Sequence, residues 1–291
     1  MNDLPKLYFA MGTYLFPMLE EELGELTREN RGCPFEIQFC GWMEHIYPWI
    51  QNELETPFWR LYWSVRPGGT LRFGSTEMSL EPNTFVLIPA GFRFPTFARS
   101  PFEQVFLHFN FNDLVRVYAD RIATIPGDEF SAGYIQEFVG LYRERKDKLR
   151  CEMIGYLLLG HALLKSSAGP VICELPLDRR IVETIRYIGS NPASRLDNEL
   201  LADRCGMARN AFIRLFSGAM KESPQAFVRR KRIDRACRLL HFSSFSLKEI
   251  ARETGFADQY HFSKVFARLQ HNTPKKFRDS YSEFKFAREV L

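Results

Sequence analysis

Histidine and cysteine are scarce in this 291-residue chain, six of each, and neither forms a cluster. Cys33, Cys40, Cys151, Cys173, Cys205 and Cys237 offer no C-x-x-C pair and no metal-ligand spacing. That argues against zinc ribbons and redox dithiols and leaves free thiols in a reducing compartment as the expectation. His45 and His108 are the only histidines in the first 150 residues, and two lone imidazoles do not make a metal site. No phosphate-cradling glycine loop and no activated serine or cysteine motif occurs, so neither catalysis nor a cofactor is expected. Met1-Asn2-Asp3 lacks the basic onset and apolar run of an export signal. The most apolar stretch, Met153 to Leu164, is too short and too interrupted to span a bilayer. The expectation is a cytoplasmic protein with no membrane partner.

What the chain does have is core-forming material, 45% hydrophobic and 14% aromatic residues, over a length that suits two or three domains. Its net charge of +4 is unevenly spread. Residues 178–291 carry 23 Lys and Arg against 13 Asp and Glu, a balance of +10, which leaves −6 for residues 1–177. The C-terminal segment is suited to approach a polyanion and the rest is not.

Phe35 to Phe111 reads as β structure. Trp59-Arg60-Leu61-Tyr62-Trp63-Ser64-Val65 alternates, Pro67-Gly68-Gly69 turns, and Thr84-Phe85-Val86-Leu87-Ile88-Pro89 and Glu103 to Phe111 supply further strands. Short strands so spaced suggest a small barrel or sandwich. From Asn112 the period becomes helical. Ile135, Phe138, Val139 and Tyr142 share one face, and Met153, Tyr156, Leu157, Gly160, Leu163 and Leu164 another. Such a pair serves dimer contacts or packing within the chain equally well. Ser166-Ser167-Ala168-Gly169-Pro170 breaks the pattern, and residues 168–177 are the expected linker. The domain reading is therefore 1–111 for the β domain, 112–167 for the helical dimerisation segment, and 178–291 for a basic, helical C-terminal domain.

Within that last segment one pattern occurs twice, about fifty residues apart on comparing Ala202 with Ala251. The first copy has Leu201-Ala202-Asp203-Arg204-Cys205-Gly206, then Phe212, Phe216, Ser223-Pro224 and Phe227. The second has Ile250-Ala251-Arg252-Glu253-Thr254-Gly255, then Phe262, Phe266, Thr273-Pro274 and Phe277. In each, a small Ala permits close helix approach, a Gly makes the turn, and two Phe four apart face inward on a second helix. On the opposite face of the first such helix stand Arg209, Asn210, Ile213 and Arg214; on the second, Gln259, Tyr260, Ser263 and Lys264. Arg can read guanine, Asn adenine, and an aliphatic chain the thymine methyl. Gln225 to Leu240 forms a helix between the units, able to hold two readers about one DNA turn, roughly 34 Å, apart. Arg229, Arg230, Lys275, Lys276 and Arg278 are expected phosphate contacts, which position without specifying sequence.

Residues 178–291 resemble the DNA-binding domain of the AraC/XylS family of transcription regulators. The run Gly255-Phe256-Ala257-Asp258-Gln259-Tyr260-His261-Phe262-Ser263-Lys264-Val265-Phe266, with Thr273-Pro274 and Phe277-Arg278, is close to its signature. The resemblance implies two helix-turn-helix units on a rigid connecting helix, with base-reading positions at the eight residues already named. Two departures stand out. The family usually has Gly shortly before each Ser/Thr-Pro turn, where this chain has Lys221 and His271; if these hold φ > 0 they cost ~1 kcal/mol each. Ala208 stands where a capping Ser or Thr is usual, a loss of about 1 kcal/mol.

Trp59 to Phe111 is similar to the cupin-like sensor domain of many such regulators, in Trp59-Arg60-Leu61-Tyr62, in Leu80 to Gly91, and in Phe102-Glu103 with His108-Phe109. Met1 to Glu55 lies largely outside that likeness. Metal-binding cupins cluster His and Glu, yet Gly68 to Asn83 contains no His and Phe94 sits where one might follow the turn. The implied barrel would instead be a pocket. Trp42, His45, Trp49, Arg60, Tyr62, Arg93, Phe106 and His108 are the candidate effector contacts, with Trp59 and Trp63 as further aromatic faces. Ring stacking plus Arg or His hydrogen bonds suits a carbohydrate; the same aromatics could equally form an ordinary core, with His108 a satisfied core histidine. The expected whole is an α+β multidomain protein: a cupin-like β-barrel with a helical dimerisation segment, then an all-α double helix-turn-helix domain. Its expected role is a transcription activator, a homodimer that binds double-stranded DNA, answers to a small-molecule effector such as a sugar, and engages RNA polymerase. The alternative is a cupin-type enzyme or ligand-binding protein with a nucleic-acid-binding tail.

Overall fold

The computed structural model describes residues 33–279 except positions 48, 55, 145–146 and 167–168. The amino terminus, the first part of the expected 1–111 domain and the centre of the Ser166–Pro170 break therefore lie outside the described residues.

The β domain is two open antiparallel sheets rather than a closed barrel among the described residues. The larger has the order β1 (Phe35–Ile46), β8 (Phe102–Phe111), β3 (Trp59–Arg66), β6 (Thr84–Ile88), β10 (Ala123–Pro126). The smaller has β2 (Gln51–Leu54), β7 (Phe94–Ala98), β4 (Gly69–Phe73), β5 (Thr76–Ser79). β3 and β8 lie inside the larger sheet, and Trp59 to Ser64 and Phe102 to Phe109 are buried without interruption. A strand covered on both faces loses the in-out polarity of a half-exposed one. Trp59, Leu61, Trp63, Val105, Leu107 and Phe109 point to one side, into a core shared with two helices. The alternate residues Arg60, Tyr62, Ser64, Gln104, Phe106 and His108 face the smaller sheet.

Those two helices are α1 (Glu129–Arg143) and α2 (Lys148–Lys165). Asp128 caps α1 reciprocally with Ser131, the arrangement that satisfies two orphan backbone donors at once. Ile135 and Phe138 of α1, and Cys151, Ile154, Leu158, Leu159 and Ala162 of α2, make the contact with the sheet. Gly155 brings α2 close: a Cβ there would lie 3.2 Å from Ile37 and 3.3 Å from Leu107. Met153, Leu157 and Leu164 are on the other side of α2 and exposed. The stretch expected as a linker carries β11 (Val171–Glu174), which pairs with β9 (Val115–Tyr118), and Leu175 N donates to Leu114 O.

The C-terminal domain is all helical: α3 (Arg179–Ser190), α4 (Asn198–Arg204), α5 (Arg209–Met220), α6 (Pro224–Phe242), α7 (Leu247–Glu253), α8 (Gln259–Gln270) and α9 (Pro274–Asp279). Both expected units are present. In the first, Phe212, Phe216 and Phe227 pack with Ile181, Ile185, Ile188, Leu201 and Ala202. In the second, Phe262, Phe266 and Phe277 pack with Ile250, Ala251, Ile233, Ala236 and Leu240. The turns need glycine: Gly206 has φ +61° and Gly255 φ +72°.

Asp258 caps α8 by accepting from His261 N, whereas Ala208 gives α5 no side-chain cap. Lys221 (φ 60°) and His271 (φ 52°) both take the left-handed conformation at the ends of α5 and α8, where a Cβ is unfavourable. Lys221→Gly and His271→Gly should each stabilise the protein by about 1 kcal/mol, read as a higher urea midpoint at unchanged slope. A lower midpoint for both would refute the strain argument.

Candidate nucleic-acid interface and inter-sheet site

The inward Phe pairs turn the opposite faces of α5 and α8 outward. Arg209, Asn210 and Arg214 are exposed and Ile213 is half-buried; Gln259, Tyr260 and Lys264 are exposed and Ser263 is half-buried. Tyr260 is 80% exposed. Arg209 Nε lies 2.9 Å from Glu199 Oε1, a surface pair that an incoming base or phosphate can displace at little cost. Between α5 and α8 runs α6, 19 residues long, hence about 28 Å at 1.5 Å per residue. Lys275 and Lys276 are exposed beside the second reader, Arg229 is half-buried on α6, and Arg278 Nη2 donates to Phe245 O.

Of the eight candidate effector contacts, five meet in the space between the sheets: Trp49, Arg60, Tyr62, Phe106 and His108. Phe58 and Phe94 join them. Phe58 stacks on His108 with centroids 4.7 Å apart, and Arg60 Cζ lies 5.2 Å from the Phe58 ring and 5.4 Å from the Phe94 ring. Trp42 is on the other face of the sheet, where Nε1 donates to Glu103 Oε1 at 2.7 Å and Arg143 covers its ring. His45 is exposed in a left-handed bulge, 4.0 Å from Glu44, and Arg93 is exposed before β7. Trp59 and Trp63 belong to the core under the helices.

The inter-sheet site is polar as well as aromatic. Arg60 is only 2% exposed, and no described group accepts from its Nη1. Trp49 Nε1, Ser64 Oγ, Thr96 Oγ1 and Gln104 Nε2 are likewise buried without a described hydrogen-bond partner. A desolvated cation gains about 2 kcal/mol over an aromatic face, while withdrawing a charge from water costs several kcal/mol. Burial holds the His108 imidazole well below its ordinary value, and the nearby Arg60 and His241 push the same way. His108 is thus neutral at physiological pH.

A family model described as a helix-turn-helix domain matches residues 201–280. The C-terminal region thus contains a helix-turn-helix domain. Over 80 residues the chain is 35% identical to the HTH-type transcriptional regulator AlkR of Acinetobacter baylyi, a match spanning 28% of this chain and 26% of that protein. It is 26% identical over 131 residues to the MmsAB operon regulatory protein of Pseudomonas aeruginosa, spanning 43% of each. The crystal structure of the DNA-binding domain of AdpA in complex with a target DNA aligns over 36% of this chain and 96% of that one, at 26% identity and a TM-score of 0.36. The chain thus covers under half the length of the curated relatives described.

The helix-turn-helix domain is not a free tail. Asp113, from the loop after β8, lies 2.8 Å from Lys231 Nζ and 3.0 Å from Arg230 Nη1 on α6. Arg230 also meets Glu222 at 2.7 Å and stacks over Phe227. Its donors, expected to face a phosphate, are thereby turned to carboxylates inside the protein. Leu114 enters the core of the first unit, Arg238 Nη1 donates to Gln38 Oε1 at 2.8 Å, and His241 packs 5.5 Å from Phe58 and 5.7 Å from His108. Arg232 ties the two units together by donating to Pro192 O (2.9 Å) and Ser194 O (2.8 Å). Gly255 lies against that tie, since a Cβ there would fall 2.7 Å from Pro192 O. Nothing in the sequence spacing of Arg232 marks it as a tie. Nor did any local pattern mark Asp113.

Burial alone would raise the Asp113 carboxyl, but Lys231 and Arg230 outweigh it and hold the pKa below the usual range. The group's stabilising contribution is therefore present above the unfolded value of about 4 and is lost as pH falls through the lower folded value. Asp113→Ala should destabilise the protein by about 1–3 kcal/mol at pH 7 and flatten the acid limb of the stability profile. An unchanged profile would show that this clamp contributes nothing.

Proposed function

We propose that this protein is a sequence-specific DNA-binding transcription regulator, working as a cytoplasmic homodimer under the control of a small molecule held between the two sheets. The observation that carries the reading is the pair of reader helices. Each is fixed from below by two buried phenylalanines and presents polar, exposed side chains of the types that recognise base edges. Arg209 and Arg214 supply guanine-reading forks, Asn210 an adenine pair and Ile213 a surface for the thymine methyl. Gln259, Tyr260, Ser263 and Lys264 do the same work on the second half-site. Arg229, Lys275 and Lys276 give phosphate charge around these readers. The activity is binding and recruitment, RNA polymerase included, rather than catalysis.

Arg214→Ala should weaken binding to the cognate site by about 1–3 kcal/mol and relax preference at one base position, measured by gel shift over a randomised site. Unchanged affinity and selectivity would sink the assignment, and failure of the full chain to protect any duplex tract in footprinting at modest ionic strength would sink the function.

Support for the dimer comes from α2. Leu149, Met153, Leu157 and Leu164 are 66%, 58%, 46% and 90% exposed, and their spacings of four, four and seven put them on one stripe of the helix. A stripe of apolar side chains left in water marks an interaction surface, and a second copy offers the same stripe in return. Leu157→Glu should turn a dimer into a monomer at micromolar concentration with unchanged helical content, measured by sedimentation and circular dichroism. A dimer of undiminished stability would place the contact elsewhere.

A further inference from the structure

We propose that the ligand held between the sheets is a small organic carboxylate with an apolar body, and that Arg60 is its counter-charge. The inference rests on the reading of this space as an effector site and names the class of effector. Arg60 is buried on β3 with a donor that no described group accepts. Among the described residues no carboxylate pairs with it. Glu103, the nearest buried carboxylate along the neighbouring strand, points to the opposite face, where Trp42 Nε1 at 2.7 Å and Arg66 Nε at 3.3 Å hold it. Asp113 is occupied by Lys231 and Arg230. Around the guanidinium stand the ring faces of Phe58 and Phe94, with neutral donors facing the same space at Ser64 and Gln104.

A cationic fork among rings and neutral donors is complementary to a carboxylate, which accepts two parallel N–H bonds and takes further donors on its remaining lone pairs. The rings then cover an aromatic or aliphatic remainder. A sugar would stack on the same rings, but it would leave the buried positive charge uncompensated. The position also suggests the consequence of binding. Arg60 is the direct cross-strand partner of His108, and His108 meets His241 of α6. An acid seated on Arg60 therefore lies one side chain from the helix that carries both readers, and can favour one arrangement of α6 over another.

The test uses the full chain at pH 7 with matched pairs of probes: benzoate and benzamide, octanoate and octanamide, together with inorganic phosphate and the sugars arabinose, xylose and glucose. Binding is read by thermal shift and by tryptophan fluorescence, since Trp49 lies in the same space. The expected result is saturable binding of at least one acid, at least tenfold weaker binding of its amide, and loss of that preference in Arg60→Gln with partial retention in Arg60→Lys. Circular dichroism checks that the variants fold; should Arg60→Gln not fold, the acid–amide comparison on the unaltered chain decides alone. Equal binding of acid and amide, wild-type affinity for the acid in Arg60→Gln, or protection by phosphate alone would each overturn the proposal. Binding of a sugar with no binding of either acid would overturn the carboxylate while leaving an effector-controlled regulator standing. Silence from every probe, with DNA binding intact in a gel shift, would overturn this proposal and the effector reading together, but not the reading of the DNA-binding helices.

Discussion

Helix α6 buries Phe227, Ile233, Ala236 and Leu240 between the two helix-turn-helix units, while Arg230 and Lys231 on its side grip Asp113 of the β domain. Its length sets the separation of α5 and α8, and its contacts join both to the β domain. Arg232 and Gly255 prevent the second unit from swinging about the helix, because the guanidinium fills the gap between the turn and the loop at Pro192. In the proposed regulator, a change in DNA binding would come from moving α6 as a body or from changing how two copies of the chain are arranged.

Much of the helix-turn-helix domain was legible in the sequence because its determinants are local. Gly255 makes its turn by adopting positive φ, Asp258 caps the helix that follows it, and Phe262 and Phe266 fall on one face because they are one turn apart. Even the misfit residues Lys221 and His271 were readable, since helix termination by a left-handed residue is a property of a few adjacent positions. The β domain was less legible. In β3 both faces are covered, so Trp59 and Arg60 are equally buried and alternation no longer says which of them faces a ligand. Register also intervened. β1 is irregular between Ile37 and Phe39 and again between Met43 and Ile46, and such slips reassign side chains to faces; after the first, Trp42 pairs with Val105 on the helical side, and within the second His45 projects outward. The contacts of Asp113, Leu114 and β11 join positions far apart in the chain, and no spacing rule in one sequence anticipates them.

The larger sheet has a different partner on each side. Its outer face supports α1 and α2, whose uncovered stripe suits self-association, and its inner face bears Arg60 and His108. Because interior packing is dense and transmits strain, a ligand that moved β3 or β8 would act on both the putting together of two chains and the contact at His241. The proposed effector site and the proposed dimer face would thus share a single layer of backbone hydrogen bonds.

Leu114 belongs to the β domain by sequence, yet it completes the apolar centre of the first reader unit. Cutting the chain ahead of residue 178 would remove that plug and open a greasy hollow beside Ile181 and Phe227. The excised DNA-binding piece would be a different object from the same piece in place: looser at its first module, and prone to fill the gap with whatever apolar surface it meets.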